Sequence, residues 1–286
     1  MTTRLRTWIL IAGLSALFVA LGGLVGGTGG LIGFLAIALV FNFAMFWFSD
    51  KIALATSRAK PVSESEAPQL YQDVRDLTER AGLPMPRLYV IPSEQPNAFA
   101  TGRSQSKAAV AVTEGLLRLM PREQVRGVLA HELAHVKNRD VLVVTVAAMI
   151  GAAISAIANF LQFSWLFGGA DDEDNPLGIV GSIAAILIAP VAAMVLQMAV
   201  SRQREFLADE TAARLLGDGR PLADALANLE RGVQAIPMQV NPATASLYIA
   251  NPLRGQGMAA LFSTHPPIPQ RIARLRAFDA KRGIHY

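Results

Sequence analysis

Residues 128–140 read VLAHELAHVKNRD, and residues 141–161 continue as VLVVTVAAMIGAAISAIANFL. These two stretches together decide the chemistry and the architecture. On a helix, residues four apart share a face, so His131 and His135 can grip one metal ion with their imidazoles. Glu132, beside the first of them, can reach a water on such an ion and act as general base in peptide hydrolysis. The alternative is a structural helix that carries the motif by accident. After Asp140 the chain turns apolar for as long as a bilayer span requires, which sets the metal motif at the edge of a membrane.

The composition agrees with a membrane chain. Its 286 residues are 52% hydrophobic and 17% charged, with a mean hydropathy of +0.36, more apolar than soluble proteins of this length. The absence of cysteine excludes disulfides, thiolate zinc ligands and a cysteine nucleophile. Four apolar stretches approach or exceed the ~20 residues that cross a bilayer core. They are Trp8 to about Val25, Leu31 to Phe48, Val141 to about Phe167, and Gly178 to Val200. Only GGTGG (26–30) separates the first two, so they form a tight hairpin. The basic start MTTRLR would suit a cleaved signal peptide, but the second span follows without a persuasive cleavage site, and both are retained. Buried helices of a large soluble core are the alternative for each run.

Lysine and arginine set the orientation. None lies between Arg6 and Lys51, and none between Arg139 and Arg202. Basic residues mark the cytoplasmic side, so both termini and residues 51–140 are expected there. The acidic run Asp171–Asp174 belongs on the far side, and Trp8, Trp47 and Trp165 all stand at span ends, where interfacial indoles collect. The expected organisation is a transmembrane hairpin over 1–50, a first cytoplasmic part over 51–140 with the HELAH helix, a second hairpin over 141–200 and a second cytoplasmic part over 201–286. Ser63 with Glu66 reads as a capping box for a helix running to Gly82. Residues 87–91, 97–102 and 108–112 read as short strands. Pro121 opens the motif helix, and Ile268, Ile272, Leu275 and Phe278 trace an amphipathic helix ending near Gly283. The fold class is α+β, mainly α: four transmembrane helices with a cytoplasmic cap.

Catalytic zinc usually takes three protein ligands and keeps one position open. The stretch SRQREFLADE (201–210) offers Glu205 as the third ligand and, on the same helical face, Asp209 to orient a ligand histidine. A solvated acidic face is the alternative. Height above the membrane favours the ligand reading: His135 lies about six residues before the third span and Glu205 five after the fourth. At ~1.5 Å per residue, both stand ~8–9 Å above the membrane edge. Asp140 reads as a cap for the third span, too near the motif helix to reach back to the metal. Arg271 supports the site or faces solvent.

HELAH, two spans and then S-R-x-x-E-F-x-A-D together resemble the HtpX family of bacterial membrane zinc metalloproteases, relatives of the CAAX prenyl protease. NAFATG (97–102) and STHPPIPQRI (263–272) resemble two further motifs of that family, so the likeness spans nearly the whole chain. It implies a gluzincin-like protease domain with one zinc ion on His131, His135 and Glu205, and Glu132 as base. It also implies that His265 and Asn97 contact the substrate carbonyl or oxyanion, where a helix cap and a turn residue are the respective alternatives. The function so implied is cleavage of misfolded or damaged membrane proteins in their cytoplasmic parts, as quality control under stress, at the bacterial inner membrane. An extended substrate would add a strand along residues 98–101. Two other readings are a prenyl-protein protease and a zinc-binding membrane scaffold without catalysis, and the intact Glu132 argues against the scaffold. Transport is disfavoured because the spans carry no charged residue or histidine between their ends. The expected partners are unfolded or membrane-protein substrates and the lipid bilayer, with no nucleic acid; the oligomeric state is left open.

Overall fold

The structure, a computed structural model, describes residues 3–148, 202–240, 244–252 and 266–281. The third and fourth expected spans from residue 149 onward, the acidic run at 171–174 and His265 lie outside the described residues.

The first helix, α1 (Thr3–Thr56), is not straight. Leu31 Cδ2 lies 3.1 Å from where a Cβ on Gly23 would sit, although eight residues of straight helix rise ~12 Å. The chain therefore doubles back at GGTGG, where Gly27 has φ +55° and glycine's freedom is needed. Among the described residues no single helix is long and apolar enough to cross a membrane. The limbs Gly27–Phe41 and Phe46–Thr56 meet that length and composition together, bent by 63°. The apolar run expected as a single span over 31–48 is thus bent within its length and is not one straight helix. The lower limb is drawn aside by the domain: Ser49, Asp50, Ala53 and Leu54 are buried, and Asp50 accepts from Arg87 Nη2 at 2.9 Å. The upper limb shows an apolar face to its surroundings, with Ile32, Val40 and Phe43 each more than 60% exposed, which water does not favour.

Strands β1 (Lys60–Pro61), β2 (Arg87–Ile91), β3 (Ala98–Thr101) and β4 (Ala109–Thr113) form one sheet in the order β1-β2-β4-β3. β2 and β4 run parallel with Leu88 opposite Val110, while β3 pairs antiparallel to β4 with Phe99 opposite Ala111. Side chains alternate between faces. Leu88, Val110, Val112, Ala98 and Ala100 face the main core with helices α2 (Pro68–Ala81) and α4 (Arg122–Lys137). Ile91, Phe99, Ala109 and Ala111 face a second layer made by the end of α1, residues 143–148 and Tyr248. The sheet is covered on both faces, and β3 is its edge nearest α4.

The Ser63–Glu66 pair forms, with Ser63 N donating to Glu66 Oε2 at 2.7 Å, but it closes a turn ahead of the helix. Pro68 explains the shift: it suits the first helical position and drives Ala67 out of the α region, to φ −136°. Short α3 (Glu114–Leu119) links β4 to α4. Beyond lie α5 (Arg202–Leu216), α6 (Arg220–Ala235) and α7 (Ile268–Lys281), the last where the apolar spacing places it. α4 is buried on almost every side. Gly127 permits this: a Cβ there would meet the backbone of Leu222 at 2.7 Å, so only glycine lets α6 lie so close.

Candidate metal centre

His131, Glu132 and His135 sit in the last turns of α4, where α5 packs across it. His131 is fully buried, while the His135 side chain keeps 14% exposure and marks the open side. Their Nε2 atoms face one another at 3.1 Å. From α5, Glu205 reaches both, Oε2 at 3.7 Å from His131 Nε2 and Oε1 at 3.5 Å from His135 Nε2. A tetrahedral zinc with bonds of ~2.0–2.1 Å would hold its ligand atoms about 3.3–3.4 Å apart, so these three separations fit one small ion.

The far side of each imidazole is held as well. His131 Nδ1 lies 3.0 Å from Asp209 Oδ1, with Asp209 one turn beyond Glu205 on α5. His135 Nδ1 lies 3.2 Å from Asp140 Oδ2. If both Nδ1 atoms donate to these carboxylates, both Nε2 lone pairs point into the shared centre, the tautomer a metal needs. The placement of Asp140 corrects its expected remoteness from the metal side. α4 ends at Lys137, Arg139 adopts the left-handed conformation at φ 59°, and Asp140 N donates back to His135 O at 3.3 Å. The tight turn swings the carboxylate under the helix it has just left. Its backbone still opens the next helix, with Asp140 O accepting from Val144 N.

Arg271, weighed above against a solvated face, is fully buried. It grips Asp209 with two bonds, Nε to Oδ2 at 2.9 Å and Nη2 to Oδ1 at 2.7 Å. Its Nη2 also lies 3.4 Å and 3.3 Å from the two His131 ring nitrogens, and Nη1 is 3.8 Å from Glu205 Oε2. The only sequence signal for this was a basic residue on the otherwise apolar stripe of the last helix. Asn97 is buried too: its Nδ2 donates to Ala250 O at 2.8 Å.

The electrostatics suit a cation. Glu132, Asp140, Glu205 and Asp209 are each 2% exposed, and the Arg271 guanidinium is buried with them. Four carboxylates held this dry need positive charge close by. The protonation pattern follows. Burial opposes charge on His135, but the carboxylates of Asp140 and Glu205 outweigh it and raise its pKa to about 10. Burial and then the Arg271 charge lower His131 to about 4. Burial would raise Asp209, yet Arg271 and His131 hold it down at about 2. The field that keeps a proton on His135 would favour a dication in the same place, and the nitrogen and carboxylate donors suit zinc.

Peptidase family M48 matches residues 64–279 of this chain. A "Protease HtpX homolog" of Pelotomaculum thermopropionicum is 55% identical over 275 residues, covering 96% of this chain and 98% of that protein. Another, from Pyrococcus furiosus, is 49% identical over 280 residues, 98% and 97% of the two chains. The crystal structure of S. mikatae Ste24p shares the fold at a TM-score of 0.50 and 21% identity, over 95% of this chain and 67% of that one. The chain belongs to peptidase family M48 and is, with its HtpX relatives, a metallopeptidase.

Proposed function

We propose that the chain is a zinc-dependent endopeptidase of the bacterial inner membrane that cuts misfolded or damaged membrane proteins in their cytoplasmic parts. The observation that carries this reading is the cluster of His131, His135 and Glu205, whose imidazole Nε2 atoms lie 3.1 Å apart and each within 3.7 Å of a Glu205 carboxylate oxygen, with Glu132 next to it on the same helix. His131, His135 and Glu205 would hold the ion, and Asp209 and Asp140 would fix the two imidazoles. Zinc, when bound, supplies a Lewis acid and acidifies water. Glu132 takes the proton from the attacking water and passes it to the leaving amine, so no covalent enzyme intermediate is needed. Arg271 keeps Asp209 ionised, and burial together with the Arg271 charge keeps His131 uncharged. His265, by its resemblance to the Thr-His-Pro motif, is proposed to face the oxyanion.

Purified protein in detergent, given unfolded casein with and without chelator, tests the class. Cleavage that requires zinc is expected; none under any condition would favour the scaffold. Reporters fused after Ser57 and after Tyr286 should read cytoplasmic and one at Gly169 exported, and a cytoplasmic Gly169 would refute the topology.

A further inference from the structure

Residues Thr244–Leu247 form a short 3-10 turn, and the bent segment 248–250 that follows meets the outer edge of β3. Four consecutive backbone atoms there are all held. Ile249 N donates to Ala98 O at 3.0 Å, and Ile249 O accepts from Arg271 Nη1 at 3.2 Å. Ala250 N donates to Asn97 Oδ1 at 3.3 Å, and Ala250 O accepts from Asn97 Nδ2 at 2.8 Å. None of these bonds uses a side chain of Ile249 or Ala250, so the seat reads main chain and not sequence. It also adjoins the metal centre, because the guanidinium on Ile249 is the one that grips Asp209 and touches His131. Asn97 is itself fixed from behind, with its N and O both bonded to Thr113 Oγ1.

A sequence-tolerant peptidase must hold an extended substrate in this way, by main-chain bonds to a sheet edge beside its metal. We infer that Tyr248–Ala250 is an internal pseudo-substrate, seated on the groups of Asn97, Ala98 and Arg271 that grip the backbone of a peptide to be cut. The inference rests on the peptidase reading. It replaces the open edge expected along residues 98–101 with an occupied one: Ala98, Phe99 and Thr101 are fully buried, and Tyr248 packs edge-on against Phe99 at 5.1 Å. A substrate must displace this segment, so its apparent affinity is reduced by the fraction of chains in which the seat is free. Ile249, 1% exposed, further indicates that the side chain entering next to Arg271 is aliphatic.

The test uses the full-length Glu132→Gln chain in detergent micelles and a fluorescein-labelled hexapeptide with the sequence of residues 246–251, Ser-Leu-Tyr-Ile-Ala-Asn. Saturating peptide should speed hydrogen exchange in residues 248–250 while β3 stays protected. Ile249→Gly, which loosens the internal occupant, should tighten peptide binding by about tenfold, as expected where about a tenth of seats are free at rest. Ala250→Pro, which removes the N–H given to Asn97, should act in the same direction. Peptide binding with no change in exchange at 248–250 would make the segment a fixed wall and overturn the inference, whether or not the variants fold. Binding to neither the parent nor the variants would overturn it as well. Zinc-loaded wild-type chain is assayed on casein in parallel. Loss of that cleavage refutes the peptidase reading, while the exchange data decide the seat independently.

Discussion

Helix α4 carries an acid–base cluster at each end, and the two are built differently. Near its start, Arg122 and Arg126 hold Asp73 at 2.9 and 2.7 Å, and Arg126 also reaches Asp76. Arg80 holds Asp76 as well, at 3.0 Å, so two carboxylates meet three guanidiniums, and the arginine side chains stay 45%, 22% and 50% exposed. Near its end, His131, Asp209 and Arg271 are sealed, and four carboxylates are buried around the two histidines. A cluster whose carboxylates are fully matched by partly exposed guanidiniums fastens α2 to α4 and asks for nothing more. A dry one that gathers four carboxylates and two histidines is costly in the folded chain unless a ligand shares the charge, which marks it as the functional end.

Substitutions should separate the two ends. Glu132→Gln should lower proteolysis by ~10²–10⁴-fold while zinc content, measured by elemental mass spectrometry, stays at one ion per chain. Near-normal cleavage would remove Glu132 as base. Arg271→Met strands Asp209 in a dry site and should cost ~3–5 kcal/mol in chemical denaturation, and Arg271→Lys should rescue little because the two-bond grip is lost. A solvated Arg271 would show neither effect.

Asp209→Ala and Asp140→Ala should each weaken zinc binding by ~10–100-fold in competition with a chromophoric chelator. Full affinity in Asp140→Ala would return that residue to a capping role. The pH dependence tests the same contact. In the metal-free chain His135 holds a proton up to about pH 10 and His131 only to about 4, so between pH 6 and 9 zinc must displace one proton. Affinity should therefore rise ~10-fold per pH unit and level off near 10, and Asp140→Asn should move the plateau to lower pH. A flat profile would sink this protonation pattern. The smallest effect on the metal belongs to the other end of the helix: Asp73→Asn should cost ~1–3 kcal/mol of stability and leave zinc affinity unchanged.

Much of this was legible in one dimension because the features involved are local or periodic. The i, i+4 spacing of His131 and His135 is a property of any helix, and so is that of Glu205 and Asp209. Strand β2, the end of α2 at Gly82 and the stripe of α7 follow from alternation, turn chemistry and 3.6-residue spacing within single segments. The start of α2 was misjudged by one turn because Pro68 outweighs the Ser63–Glu66 pair. Asp140 was misread because a left-handed residue at Arg139 reverses the chain in a single step, and arginine carries no signal for that conformation.

By itself, the sequence determined several elements, the apolar stretches and the residue types able to hold an ion, since each depends on neighbours within a few turns. Tertiary structure alone decided which charges share a dry space. Arg271 lies 62 residues from Asp209 and 140 from His131, and Asn97 lies 153 from Ala250. No spacing rule spans such distances. The contacts exist because α4, α5, α7 and the edge of β3 pack around one point, and burial there turns an ordinary helix arginine and a loop asparagine into fixed parts of the site.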